Sequence, residues 1–180
     1  TLESLRDSVG PSVYCYLNST AFCNGDEVNP TPYFVAEISD ENGINSTGTG
    51  IGHDLELIVD GEMSKTYVLN DNFEFDFGSF KRGRLGFSIP ELEPGEHKLL
   101  FRAWDVLNNS TTAELVFTVA PGVQPRLFNV ECTKNPAITN TTFRIMHDRI
   151  GSKMDAVIEI FDMSGRYLWS ITGNGVPASG

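Results

Sequence analysis

The apolar residues of this chain recur at every second position along almost its whole length. "FEFDF" places Phe73, Phe75 and Phe77 on one side and the acidic Glu74 and Asp76 on the other. "HDLELIV" and "ELVFTV" repeat the alternation. Successive side chains of a β-strand point to opposite faces, whereas an amphipathic helix needs apolar residues three and four positions apart. The alternation therefore predicts strands with one buried face.

Further stretches follow the same pattern, and turn residues separate them at short distances. The other strand candidates are "SVYCYL", "YFVAEI", "LGFSI", "KLLFRAW", "LFNVECT", "TFRIMH", "AVIEIF" and "RYLWSI". Turns are indicated at "DENG", "VDGE", "EPGE", "NNS" and "MSG". Only "TLESLRDSV" has helical spacing. The prediction is an all-β fold, an immunoglobulin-like β-sandwich followed by a second β-sandwich unit that is small or incomplete.

A domain boundary is predicted at "APGVQP", where two prolines and a glycine follow a finished strand. Residues 1–11 are interpreted as a leader or the remnant of an upstream element, 12–121 as the sandwich, 122–125 as the linker, and 126–180 as the second, truncated unit. The start at Thr1 and the glycine-rich "GNGVPASG" at the end suggest a piece of a longer protein.

The acidic composition argues against two classes of partner. The net charge is -11 and the pI about 4.6, and binding to nucleic acid or to anionic lipid relies on Lys and Arg neutralising negative charge. The sequence also contains no apolar run of the length that spans a bilayer. We therefore expect neither nucleic-acid binding nor direct membrane insertion.

Three cysteines leave their redox state open. Cys15 and Cys23 are close enough in sequence to close a small disulfide loop, with Cys132 left over, or all three are reduced thiols. No CxxC pair is present, which argues against a zinc site of the usual spacing.

A reaction centre is not expected, although polar residues cluster in "HKLLFRAWDVLNNS". His53 and His97 lie beside turns and are interpreted as surface or structural residues. Cys132 and His147 share the second unit, but alternation places them among core residues, which disfavours a catalytic dyad. Trp104 is predicted to cap the core. Asp105 is predicted to set a turn by accepting backbone hydrogen bonds.

Cofactors are not expected, apart from a weak case for calcium. "DENGIN" breaks the EF-hand order, which leaves a calcium site shared among loops as the alternative. Its candidate ligands are Asp40, Asp54, Asp71 and Asp105. The glycines of "GTGIGHD" precede a strand rather than a helix, which excludes a nucleotide-binding loop of the usual kind.

Several longer stretches carry a resemblance to a known family. "DENGIN", "GIGHD", "VLND", "GEHKLLFRAWDVLNNS" and "FDMSGR" together resemble the region downstream of the catalytic domain in the cell-surface sortase of the bacterial type IX secretion system, a gingipain-like cysteine peptidase of the PorU type. The resemblance covers residues from about 12 to 172. Residues 126–172 also resemble the opening strands of the sorting domain carried by cargo of that system.

The resemblance implies a secreted, cell-surface or outer-membrane-associated parent that removes sorting domains and links cargo to surface lipopolysaccharide. The catalytic Cys and His of that family lie upstream, so no catalytic residue is assigned here. The implied role is a non-catalytic structural or docking module. Its expected partners are other domains of the parent peptidase, and secretion-system or outer-membrane components that dock on an edge strand or a surface.

Two other functions compete with this interpretation. A glycan-binding or adhesion module would use exposed aromatic residues, and the candidates are Tyr167 and Trp169 in "GRYLWS". A self-contained peptidase would act through Cys132.

Overall fold

The computed structural model describes residues 7–48, 50–125, 127–134, 138–147, 149 and 154–175. The chain divides into two compact units, one up to Gln124 and one from Pro125 onward. The predicted helical stretch falls largely outside the described residues, and its last residues, from Asp7, form no helix.

The described residues of the first unit form nine strands in two sheets. They are β1 (Ser12–Leu17), β2 (Glu27–Val28), β3 (Tyr33–Ser39), β4 (Glu56–Val59), β5 (Thr66–Val68), β6 (Phe73–Phe75), β7 (Arg82–Ser88), β8 (Gly95–Trp104) and β9 (Ser110–Val119). One sheet has the order β1-β3-β7-β6, and the other has the order β2-β9-β8-β4-β5. All pairs are antiparallel except the short β2, which runs parallel to the end of β9.

The two sheets enclose one hydrophobic core. Along β8, Leu99, Phe101 and Ala103 are buried while the residues between them are partly exposed. Phe34 of β3 meets Phe101 with ring centroids 5.3 Å apart. This alternation of buried and exposed residues is what a half-buried strand requires. The predicted all-β sandwich is confirmed.

The two ends of the sandwich have different roles in the path of the chain. Residues 7–11 lead into β1 at the end where Ser12, Ser39 and Arg82 lie side by side in neighbouring strands. We call this the entry end. The turn between β8 and β9 lies there too, and an isolated β-bridge pairs Ile44, in the segment after β3, with Asp105, directly after β8. β9 runs from the entry end to the opposite end, the exit end, where it finishes at Val119.

The second unit consists of two hairpins in its described part. β10 (Leu127–Cys132) pairs with β11 (Phe143–His147), and β12 (Met154–Phe161) pairs with β13 (Tyr167–Gly175). None of the described apolar side chains of this unit is buried. One face of β12 and β13 is nevertheless apolar, because the register brings together Ile158, Ile160, Trp169 and Ile171.

The structure departs from one of the predicted strands. The strand at "FEFDF" ends at Phe75, since Asp76 and Gly78, with a φ of 72°, already form the turn. Phe77 is therefore exposed instead of buried. Where the chain is described, no helix is long and apolar enough to cross a membrane.

Candidate functional site

The turn between β8 and β9 is built around a fully buried carboxylate. Asp105 is 0% exposed. Its Oδ1 accepts hydrogen bonds from the backbone N–H of Leu107 at 2.8 Å and of Asn109 at 2.7 Å, and its Oδ2 accepts one from Asn109 Nδ2 at 2.7 Å. The predicted role of Asp105 in setting this turn is confirmed. Three donors satisfy the buried charge, as such a group requires.

Two more carboxylates lie beside Asp105 at the entry end. Asp7, Asp40 and Asp105 each place an oxygen within 4.8 Å of the others. Asp40 Oδ1 accepts hydrogen bonds from the backbone N–H of Asn42 and of Gly43. Asp7 accepts one from the side chain of Asn42. Oxygen ligands at such spacing suit calcium, and the predicted calcium site, whose candidates included Asp40 and Asp105 but not Asp7, stays a prediction.

The four predicted calcium candidates do not meet at one place. Asp40 and Asp105 lie together, whereas Asp54 packs against Gly48 and Asp71 lies in the 3-10 turn Asn70–Asn72. Sequence reasoning missed Asp7, which belongs to the stretch before β1. No local pattern marks this residue, because only the fold brings it next to the turns after β3 and β8.

His97 is held by two oxygen atoms. Its Nδ1 lies 2.8 Å from Asp60 Oδ2, and its Nε2 lies 2.7 Å from the backbone oxygen of Glu93. A His–Asp pair supplies two of the three members of a catalytic triad, but the second ring nitrogen of the His must then face a nucleophile. Here it faces a carbonyl oxygen. The observed contacts join the β4–β5 connection to the start of β8, which is a structural role.

The ring of His53 contacts that of Trp104, with ring centroids 4.2 Å apart and ring planes tilted by 39°. Trp104 lies on the face of β8 opposite to Phe101 and Ala103. The prediction that Trp104 caps the core is therefore wrong. The strict alternation of β8 explains the difference, since Trp104 follows the buried Ala103 directly and must point to the other side.

Cys132 and His147 do not form a dyad. Cys132 is opposite Phe143 in the β10–β11 register, and His147 is opposite Leu127. The residue opposite Cys132 is thus four positions before His147 on β11, which corresponds to about 13 Å along the strand. The Cys132 thiol instead contacts Thr141 Oγ1 at 2.9 Å and donates to the backbone oxygen of Lys134.

The three cysteines are free thiols in the structure. Cys15 points from β1 toward the core, and burial raises the pKa of its thiol to about 12. Cys23 and Cys132 are exposed. Because a thiolate is the reactive form, Cys15 is the least reactive of the three.

The two proposed sugar-stacking residues lie on opposite faces of β13, because a β-bulge shifts the register so that Trp169 is opposite Ile160 and Tyr167 is opposite Phe161. Tyr167 is 53% and Trp169 51% exposed. Tyr167 donates a hydrogen bond to Ser170 and contacts Phe161 edge to face. Trp169 is opposite Ile160 on the apolar face of the hairpin. The two rings therefore do not form one stacking surface, and Trp169 lies on the face that fits one half of a core.

No protein-family model matches the chain, and no curated protein does either. Among solved structures, the chain is similar to dimeric latent PorU from Porphyromonas gingivalis, with 39% sequence identity and a TM-score of 0.69. This similarity covers 97% of the chain but only 16% of the PorU chain. CopC from Methylosinus trichosporium OB3b is 14% identical over 62% of this chain and 98% of that chain, and its TM-score of 0.37 carries no argument. The predicted resemblance is confirmed: nearly the whole chain is similar to one segment of PorU, which makes up 16% of the PorU chain.

Proposed function

We propose that this chain is a non-catalytic structural and docking module of a secreted, cell-surface sortase of the PorU type. The support is its similarity to a segment that makes up 16% of PorU. The cleavage and attachment of cargo, which the sequence resemblance implies for such a parent, would then depend on residues outside this chain.

The path of the chain through the first unit supports the structural role that we propose. The chain enters at Asp7 and Gly10, beside Ser110, and leaves after Val119 at the other end of the same strand. The ten residues of β9 span about 30 Å. A sandwich that the chain crosses from end to end holds whatever precedes it and whatever follows it at a fixed separation.

The exposed surfaces of the second unit support the docking role that we propose. Its described hairpins expose apolar side chains such as Val157, Leu168 and Trp169. Each described sheet has two strands, so each strand has an outer edge whose N–H and C=O groups no described neighbouring strand pairs. Such edges and faces accept strands or apolar surfaces of partners. Components of the secretion system or the outer membrane are the partners that we propose.

An exchange of modules in the longer parent protein tests the proposal. Deletion of both units should abolish sorting-domain cleavage or surface attachment of cargo. Replacement of residues 12–121 by an unrelated sandwich whose termini also lie about 30 Å apart should restore activity if spacing is what this unit supplies. A deletion that leaves both activities unchanged would refute a required structural role.

A glycan-binding module is the second candidate, because the aromatic side chains of Tyr167 and Trp169 on β13 are half-exposed. Binding on a glycan array that Trp169→Ala removes and Trp104→Ala keeps would favour this function. An array without any binding would reject it.

A further inference from the structure

Large apolar side chains are exposed together at the entry end of the first unit. Phe77 is 107%, Phe80 64% and Val106 52% exposed. A Cβ atom built on Gly43 would lie 3.6 Å from both a ring carbon of Phe80 and a methyl of Val106. Phe80 and Val106 therefore flank the Gly43 backbone on one continuous surface. We call Gly43, Phe77, Phe80 and Val106 the entry-end patch.

The patch is part of an ordered framework. The turn between β6 and β7 is closed by hydrogen bonds from Ser79 N–H to Asp76 and from Asp76 N–H to Arg82. Val106 N–H donates to the Gly43 oxygen at 3.0 Å. These bonds fix the backbone that presents the aromatic rings. Exposed apolar surface on a fixed frame is the usual mark of an interaction site.

The stretch before β1 is anchored beside the same patch. Asn109 Nδ2 donates to the backbone oxygen of Asp7 at 3.2 Å, and Asn42 donates to the Asp7 carboxylate. Gly10 lies so close to β9 that a Cβ atom there would be 2.4 Å from the Ser110 oxygen. Because Asp7 and Gly10 are held at the entry end, any part of a longer chain that precedes Asp7 is connected to the sandwich at that end. A short connection gives such a part a high effective concentration at the patch.

The charged residues around the patch indicate which kind of partner surface binds there. Lys81 is paired with Glu41 at 3.0 Å, and Arg82 lies 3.7 Å from Asp76. The neighbouring basic groups thus already have acidic partners, while Asp7 and Asp40 add negative charge nearby. An apolar surface with basic residues at its rim complements this end of the sandwich.

We propose that the entry-end patch docks the domain that immediately precedes this segment in the longer protein, through an apolar, basic-rimmed surface of that domain. The proposal rests on the proposed function, since it requires a parent chain with a preceding domain. Docking at the entry end would turn the sandwich from a tethered spacer into a brace with a fixed orientation.

Site-specific photocross-linking in the full-length parent tests this contact. A benzophenone side chain placed at Phe80 should cross-link within the same chain to a peptide that precedes Asp7. The control position is Met63, which is 90% exposed in a turn after Val59, toward the exit end. Met63 should give no such product. Cross-links to a second copy, to lipid or only to residues 125–180, or none at all, would each overturn the proposal.

A pair of variants gives a second readout. Phe77→Ser combined with Phe80→Ser should speed amide hydrogen exchange in the preceding domain of the parent, because it removes the apolar contact. It should leave the unfolding temperature of the isolated segment unchanged, since both rings are exposed. Met63→Ser is the matched control and should change neither quantity. Unchanged exchange in the double variant would count against docking.

The two experiments separate the further inference from the proposed function. An unrelated sandwich that restores activity supports spacing and says nothing of the patch, so a missing cross-link would then reject docking alone. A Phe80 cross-link in a parent that tolerates deletion of both units would reject the required structural role alone.

Discussion

Two hairpin turns of this chain are built alike and lie in very different surroundings. Asp105 Oδ1 accepts the backbone N–H groups of the residues two and four positions later, and Asp162 Oδ1 does the same with Ser164 and Arg166. The residue three positions after each aspartate has a positive φ, 68° at Asn108 and 81° at Gly165. Both turns therefore have the same local chemistry.

The surroundings differ because, among the described residues, only the strands joined by the first turn contribute to a buried hydrophobic core. Asp105 is fully buried, and β8 and β9 contribute Phe101 and Phe117 to the core. The turn at Asp162 joins β12 and β13, whose described apolar residues are not buried. Local turn chemistry thus produces a hairpin in both units. A core forms only where another sheet covers the apolar face, and an isolated two-stranded hairpin is marginally stable.

The largest expected difference between the units comes from truncating matched apolar residues. Phe101→Ala should lower the free energy of unfolding of the first unit by about 4 kcal/mol, because it leaves a cavity in the core. Ile158→Ala on the apolar face of β12 should cost under about 1 kcal/mol, because that face is not enclosed. Urea unfolding of each variant measures both. Equal losses would break the comparison.

The second largest difference in stability is expected between substitutions of the two turn aspartates, Asp105 and Asp162. Asp105→Ala leaves buried N–H donors without an acceptor, which should cost about 2 kcal/mol. Asp162→Ala removes the same hydrogen bonds from an exposed turn and should have a much smaller effect. Asp105→Asn, which keeps an acceptor oxygen, is the control and should fall between the wild type and Asp105→Ala. Thermal unfolding checks the order, and a larger loss in Asp162→Ala would contradict it.

Acid should weaken the first unit through Asp60. Burial alone would raise the pKa of Asp60, but hydrogen bonds from the Lys98 backbone N–H and from His97 outweigh it and lower the pKa. A lowered pKa contributes stability that is present above the unfolded value of about 3.9 and is lost as the pH falls through the folded value.

The expected result is a stability of the first unit that drops below about pH 4, and drops less in Asp60→Asn. Asp162 offers the control in the second unit, since hydrogen bonds from the Ser164 hydroxyl and the Arg166 backbone lower its pKa as well. Asp162→Asn should leave the acid response of the first unit unchanged. Identical pH profiles for wild type and Asp60→Asn would disprove the assignment.

The smallest effect concerns thiol reactivity and does not involve stability. Under native conditions an alkylating reagent should modify Cys132 and Cys23 quickly and Cys15 slowly, because the Cys15 thiol is buried and its pKa is about 12. Mass spectrometry of the alkylated peptides follows each site, with urea-unfolded protein as the control. Fast modification of Cys15 would place β1 outside the sandwich.

Alternation was sufficient to predict most of the strands because it is a local property of the sequence. "SVYCYL" forms β1 with the predicted limits, Ser12 to Leu17. β2 and β5, with two and three residues, are too short for a period to show. Their positions depend on β9 and β4, with which they pair.

The candidate site was only partly predictable. The turn role of Asp105 follows from its sequence neighbours, whereas the approach of Asp7 to Asp105 depends on how the stretch before β1 packs against β9. The exposure of Phe77 and Phe80 was equally hidden, because alternation alone does not show where a strand stops. The sequence shows which residues of a strand share a face, but it does not show which element of the fold covers the apolar face.

Residue-resolved amide hydrogen exchange on the whole chain tests most directly the claim that the buried core of the described residues belongs to the first unit. The hydrogen-bonded amides of β3, β8 and β9 should be protected to the level of global unfolding. Those of β12 and β13 should exchange far faster, through local opening of the hairpin. Equal protection in β8–β9 and β12–β13 would contradict the account.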